Sequence, residues 1–60
     1  MTSDERAQLV EDIKKAENLR RGIAERAERD KEFDILAAWE QVEEIDNSIN
    51  NRVLLARLKR

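Results

Sequence analysis

A chain of 60 residues with no cysteine and no histidine has few ways to stabilise a fold or to build a catalytic site. The absence of cysteine excludes disulfides and thiolate chemistry, and the absence of histidine removes the commonest metal ligand and general base. With 14 acidic and 12 basic residues the net charge is −2, which argues against a general attraction to nucleic acid or to anionic membranes.

Almost the whole chain is predicted to be helical, within a single domain covering residues 1–60. Proline is absent and glycine occurs once, at Gly22, so residues that break helices are scarce. No apolar run approaches the ~20 residues that a membrane span needs. The polar start, MTSDERAQ, is unlike a signal peptide, so the cytoplasm is the expected location.

The first predicted helix spans about residues 3–29. Thr2 and Glu5 have the spacing of a capping box, in which each side chain bonds to the backbone N–H of the other residue. After this cap, apolar residues recur at steps of three, four and seven, which places them on one face of the helix. The predicted core residues on this face are Leu9, Ile13, Ala16, Ile23 and Ala27.

A turn is predicted at about residues 29–31, where the apolar stripe of the first helix ends. Asp30 is the expected N-cap of the second helix, and Glu32 begins a new acidic first turn. If the chain folds back here, residue i of the first helix faces roughly residue 60 − i of the second. The basic half of helix 1 then lies beside the acidic half of helix 2, which favours an antiparallel hairpin.

The second predicted helix spans about residues 32–59 and follows a heptad repeat. The segment DNSINN, residues 46–51, has the composition of a loop, but the phase of the repeat continues through it, so we predict one continuous helix. The alternative is that Asn50 or Asn51 caps a short third helix. The predicted core residues of helix 2 are Ile35, Ala38, Val42, Ile45, Ile49 and Ala56.

Together these elements predict an all-α fold: an antiparallel two-helix hairpin of the coiled-coil kind. Two helices cannot enclose a core, and a chain of this size buries only ~60% of the surface that it exposes when unfolded. The simplest remedy is self-association, with two hairpins pairing into a homodimeric four-helix bundle. One uninterrupted helix that pairs with a second copy is the alternative fold.

Some residues lie off the predicted core or interrupt it. Arg20 and Arg52 interrupt the apolar stripes, so we expect their stems to pack and their heads to reach a carboxylate. They are also candidate anion contacts. Off-core apolar residues mark interfaces, and tryptophan is a common hot-spot residue. The candidate partner or oligomer contacts are Phe33, Leu36, Trp39, Leu54, Leu55 and Leu58.

No catalytic, metal or cofactor site is expected. Ser3 and Ser48 have no base that would activate them. Glu40, Glu43 and Glu44 are interpreted as a solvated acidic face, because no histidine completes a di-iron site. The favoured function is a small dimeric protein that binds another protein as an adaptor, an inhibitor or an assembly factor. A small helical protein of this kind would suit a phage or mobile element.

Other functions remain open at this point. A dimer that binds RNA or DNA would use the basic face of helix 1, although acidic residues interrupt that face and no aromatic residue is present there for stacking. A purely structural oligomerisation module would bury every off-core apolar residue in the homo-oligomer. The C-terminal segment RVLLARLKR resembles a membrane-surface helix, but it is short and the rest of the chain is acidic.

Overall fold

The computed structural model describes residues 1–59 as two α-helices that pack against each other in an antiparallel hairpin. Helix α1 spans Ser3–Arg29 and helix α2 spans Ile35–Leu58. The molecule is a rod with Cα extents of 46 × 17 × 11 Å. The predicted two-helix hairpin is therefore confirmed, and one uninterrupted helix is excluded because residues 30–34 are not helical.

Helix α1 begins where the sequence places its cap. The side-chain oxygen of Thr2 accepts a hydrogen bond from the backbone N–H of Glu5, at 3.1 Å. Asp4 and Glu5 lie in the first turn and Arg26 and Arg29 in the last, which matches the polarity of the helix dipole. Local sequence chemistry is therefore enough to explain both ends of this helix.

The linker is longer than the predicted turn, and α2 begins three residues after its predicted start. Asp30 is not the N-cap of α2: its backbone N–H closes α1 on Arg26, and its carboxylate accepts from the N–H of Glu32 at 3.0 Å. Asp34 is the N-cap instead, accepting from the N–H of Ala37 at 3.1 Å. Both aspartates suit a cap, but Asp30 is already used in the turn.

The longer linker also changes the register of the two helices. Arg20 of α1 binds Asp46 of α2, whereas the predicted register placed Glu40 opposite Arg20. Asp12 similarly binds Arg52, further along α2 than predicted. The predicted register is therefore corrected by four to six residues, because the linker contains residues that the prediction assigned to α2.

Helix α2 runs without a break through residues 46–51, so the predicted continuous helix is confirmed. Ile49 is half-buried, whereas Asn47, Asn50 and Asn51 are exposed. Each of these polar residues raises the free energy of the helix only slightly relative to alanine. The packing of one helix face outweighs that cost. A separate third helix that starts at Asn50 or Asn51 is excluded.

The core of one hairpin is small. Among the described residues, Ala16 and Val42 alone are buried, with 1% and 0% of their surface exposed. Two predicted core residues, Ile13 and Ile35, stay 40% and 47% exposed, because two helices meet along a line and cannot enclose either side of it. The other predicted core residues are half-buried: Leu9, Ile23, Ala27, Ala38, Ile45, Ile49 and Ala56.

Candidate interaction surfaces

Among residues 1–59, two ion pairs join the helices on opposite sides of their line of contact. Ala16 is buried at that line, and Asp12 and Arg20 lie four residues before and after it. At 100° per residue these two side chains point to opposite sides of Ala16. Arg20 binds Asp46 on one side, and Arg52 binds Asp12 on the other, with Nη2 and Oδ2 2.5 Å apart. In the described part of the chain, each face of the hairpin therefore has one interhelical ion pair.

The Arg52 side chain is held by groups from both helices. Its Nε donates to the backbone oxygen of Ser48 at 3.3 Å, and its Nη2 donates to Asp12. Asp12 also accepts from the side-chain amide of Gln8 at 3.3 Å. The hydrogen bond from Arg52 lowers the pKa of Asp12 below its usual value, because it favours the ionised carboxylate.

These contacts place both candidate anion-binding residues inside the hairpin's own network. The guanidinium groups of Arg20 and Arg52 each reach a carboxylate on the opposite helix, as expected for arginines that interrupt an apolar stripe. An external anion would have to compete with that carboxylate. The main role of the two ion pairs is therefore to fix the register of α1 against α2.

One face of the hairpin carries most of the exposed apolar surface. We call it the Trp39 face. Counted at 100° per residue from Ala16 and Val42, its residues lie on the same side of the contact line as the Arg20–Asp46 pair. Their exposure ranges from 37% for Trp39 to 83% for Leu36. The apolar residues of this face are Val10, Ile13, Ile35, Leu36, Trp39 and Leu54.

A second apolar surface lies at the open end of the hairpin, where α1 starts and α2 ends. We call it the open-end patch; it consists of Met1, Leu55 and Leu58, which are 61%, 56% and 74% exposed. Met1 and Leu55 line a groove of about 660 Å³ that also contains Leu9. Leu58 lies on the side of α2 that points away from α1.

Phe33 differs from the other candidate interface residues. It is half-buried in the linker, and the guanidinium carbon of Arg26 lies 4.7 Å from the centre of its ring. This is the geometry of a cation–π contact. Phe33 therefore holds the linker against the end of α1. The sequence, in which Phe33 lies three residues before Leu36, did not indicate this role.

The basic face of α1 is partly occupied by contacts within the chain. Arg20 binds Asp46, Arg26 lies over Phe33, and Arg29 is 4.0 Å from Glu25. Half of the basic residues predicted for nucleic-acid contact are thus engaged. The six residues of that prediction are Lys14, Lys15, Arg20, Arg21, Arg26 and Arg29.

The residues considered for chemistry lie on the surface. Ser3, Ser48 and the acidic residues Glu40, Glu43 and Glu44 are all exposed. Within residues 1–59, no three potential ligands are grouped so that they could hold a metal ion. Neither helix of that same stretch combines the length and the apolar composition that a membrane crossing requires.

The sequence pattern missed part of these surfaces. Val10 and Met1 were not among the candidate contacts, although both are exposed apolar residues. Ile13 and Ile35 were assigned to the core, and they lie on the Trp39 face. The available signal was the width of each apolar stripe, which exceeds what a single neighbouring helix can cover.

Comparisons of the chain with protein-family models, with curated proteins and with solved structures find no match. The assignment of a function therefore depends on the contacts, the charges and the exposed surfaces of this chain.

Proposed function

We propose that this chain is a small non-enzymatic protein that forms a homodimer and binds another protein through a helical surface, as an adaptor, an inhibitor or an assembly factor. The observation that supports this function is the exposure of large apolar side chains on two surfaces, the Trp39 face and the open-end patch, which adjoin at Leu54 and Leu58 of α2. Exposed apolar clusters of this kind are typical of interfaces. One surface serves a second copy, and the other serves a different protein.

The amount of exposed surface supports self-association. One chain exposes 5308 Å², whereas a compact folded protein of 7.1 kDa exposes about 4,100 Å². The excess of about 1,200 Å² is larger than the roughly 800 Å² that each partner contributes to a standard interface. A homodimer can therefore cover the Trp39 face and leave the open-end patch accessible.

The chemistry of the open-end patch indicates the kind of partner. Leu55 and Leu58 are exposed next to Arg57 and Lys59, which are also exposed. An apolar centre with a basic rim fits a partner groove or helix that has apolar pockets and an acidic edge. We therefore expect the bound protein to be acidic around its contact site.

Capture from a lysate of the source cells, with the tagged 60-residue chain as bait, tests this function. A specific partner is expected, and Leu58→Ala is expected to reduce its recovery at least tenfold, because the leucine fills an apolar pocket. Glu40→Ala, an exposed change on the same helix, serves as the matched control and is expected to leave recovery unchanged.

The same experiment separates the competing functions. If Leu58→Ala leaves recovery unchanged, the open-end patch is not the contact surface and the proposed partner binding is wrong. A protein that is dimeric and captures nothing would be a purely structural module. A shift of RNA or DNA mobility that weakens with added salt would support nucleic-acid binding instead.

A further inference from the structure

We infer that the Trp39 face binds a second copy of this chain, with the two hairpins side by side and their linkers at the same end of the dimer. This inference rests on the homodimer proposed above. It adds the face that is covered and the relative direction of the two hairpins.

The Trp39 face has three different levels along the rod. The register of the two ion pairs places Leu54 of α2 level with Val10 and Ile13 of α1, near the open end. The Arg20–Asp46 pair occupies the middle. Near the linker, the same register places the large Trp39 level with small alanines of α1, Ala24 and Ala27. Each level therefore has a distinct chemical character.

A two-fold axis parallel to the rod places α1 of one copy against α2 of the other at the same level. Aliphatic residues then meet aliphatic residues near the open end. The large Trp39 meets the small Ala24 near the linker. In the middle, Arg20 meets Asp46 of the second copy. All three levels are complementary in this arrangement, in shape or in charge.

The opposite arrangement has an axis that crosses the rod and places α1 against α1. Since the Arg20–Asp46 pair lies near the middle of both helices, Arg20 would then lie beside Arg20 of the second copy, and Asp46 beside Asp46. Repulsion between like charges at the centre of a covered face is stronger than attraction between ion pairs at its exposed rim, because water screens the charges at the rim. The arrangement with linkers at the same end avoids this repulsion.

The Arg20–Asp46 pair is also accessible for a further contact. Its side chains remain 42% and 32% exposed, so both still meet water in one hairpin. In the inferred dimer the water is replaced by the opposite charge of the second copy, which forms a ring of four alternating charges. An arginine has five N–H donors and can bind two carboxylates at once.

The absence of cysteine allows a direct test of direction with a single spin label. Lys31 is exposed in the linker, so Lys31→Cys gives one label near the end of each rod. With linkers at the same end, the two labels are expected to lie about 20–30 Å apart, the width of two hairpins with their labels. With linkers at opposite ends, their separation approaches the 46 Å length of the rod.

A matched pair of variants tests the face. Ile13→Arg places a charge on the Trp39 face, and Leu55→Arg places the same charge on the open-end patch, on the other side of the contact line. The first is expected to raise the dimer dissociation constant at least tenfold, measured by sedimentation equilibrium, and the second to leave it unchanged. Ile13→Arg can also unfold a hairpin whose stability depends on the second copy, so a second measurement uses the unmodified protein. If the Trp39 face is covered in the dimer, the fluorescence emission of Trp39 is expected to shift to the blue as the protein concentration rises.

The outcomes distinguish this inference from the function on which it rests. A monomer at all concentrations overturns both the inference and the proposed homodimer. A dimer whose labels lie near 46 Å apart overturns the direction and leaves the homodimer in place. A dimer weakened by Leu55→Arg and unaffected by Ile13→Arg assigns self-association to the open-end patch, and overturns the inferred face.

Discussion

Arg52 makes contacts with both helices of the hairpin. It reaches Asp12 on α1 and the backbone of Ser48 on its own helix, while Gln8 holds the other side of Asp12. A carboxylate that accepts two hydrogen bonds is stabilised in its ionised form, and this makes the strength of the contact depend on pH.

The Asp12 contact predicts a measurable loss of stability in acid. The folded pKa of Asp12 lies below its usual 3.8, so this group stabilises the hairpin above the unfolded value and loses that contribution as the pH falls through the folded pKa. The difference in unfolding free energy between the unmodified chain and Asp12→Asn should therefore be larger at about pH 7 than at about pH 3.

The control for this prediction removes the partner. In an Arg52→Gln background, Asp12 has lost the hydrogen bond that lowers its pKa most. The same Asp12→Asn change is then expected to have little pH-dependent effect in denaturant unfolding. An equal pH dependence in both backgrounds would show that Arg52 is not the cause.

Gly22 predicts a gain in stability. It lies inside α1, and a Cβ atom built there has no neighbour within 4 Å. Gly22→Ala is therefore expected to stabilise the fold by about 1 kcal/mol, since glycine loses more backbone entropy in a helix than alanine does. The matched control is Ala7→Gly at an exposed site on the same helix, which should destabilise by a similar amount. If Gly22→Ala does not raise the midpoint of thermal unfolding, the conclusion that a Cβ atom fits at residue 22 is wrong.

At the scale of elements, the segment of residues 46–51 tests how a helix forms from residues that disfavour it. Asn51 is exposed and lies within α2. Asn51→Ala should stabilise the protein by about 0.5–0.7 kcal/mol, because alanine has the higher helix propensity. If Asn51 capped a third helix, the same change would cost about 1 kcal/mol instead. The sign of the change in denaturant midpoint decides between them, with Asn47→Ala as the internal control.

The helix boundaries show which local signals are sufficient. Thr2 could be identified as a cap because Glu5 follows it at the capping-box spacing, whereas neither Ser3 nor Asp4 has a glutamate or glutamine three residues later. Between the helices, Asp30 and Asp34 both have cap chemistry, and no feature of the sequence distinguishes them. The structure assigns Asp34 to α2 because Asp30 already bonds within the linker. An error of a few residues at the boundary then becomes an error of register along the whole of α2.

At the scale of the whole molecule, we expect stability to depend on protein concentration. Self-association adds free energy to the folded state, and each tenfold rise in concentration adds about 1.4 kcal/mol per dimer. The thermal midpoint should therefore rise over a hundredfold range of concentration, measured by circular dichroism. A constant midpoint would indicate that one hairpin is stable with Ala16 and Val42 as its buried core.

Periodicity was enough to predict a continuous α2 and most of the residues near the contact line, because helical spacing depends on residue type and position along the chain. The hairpin followed once the cap residues and the charge pattern were added. Periodicity also showed that the apolar stripes are wide. The sequence could not show which stripe residues stay exposed, since Ile13 and Val42 occupy equivalent patterns. Their difference in burial depends on how far each lies from the single line where the two helices touch.

The three-dimensional arrangement set the pairing of Arg20 with Asp46 and of Asp12 with Arg52, and with it the composition of each face. These contacts join residues 26 and 40 positions apart, so they depend on the length of the linker rather than on any local pattern. A motif of the sequence can specify a cap or a stripe because its residues are neighbours. The partner of a distant charge is specified only once the chain has turned back on itself.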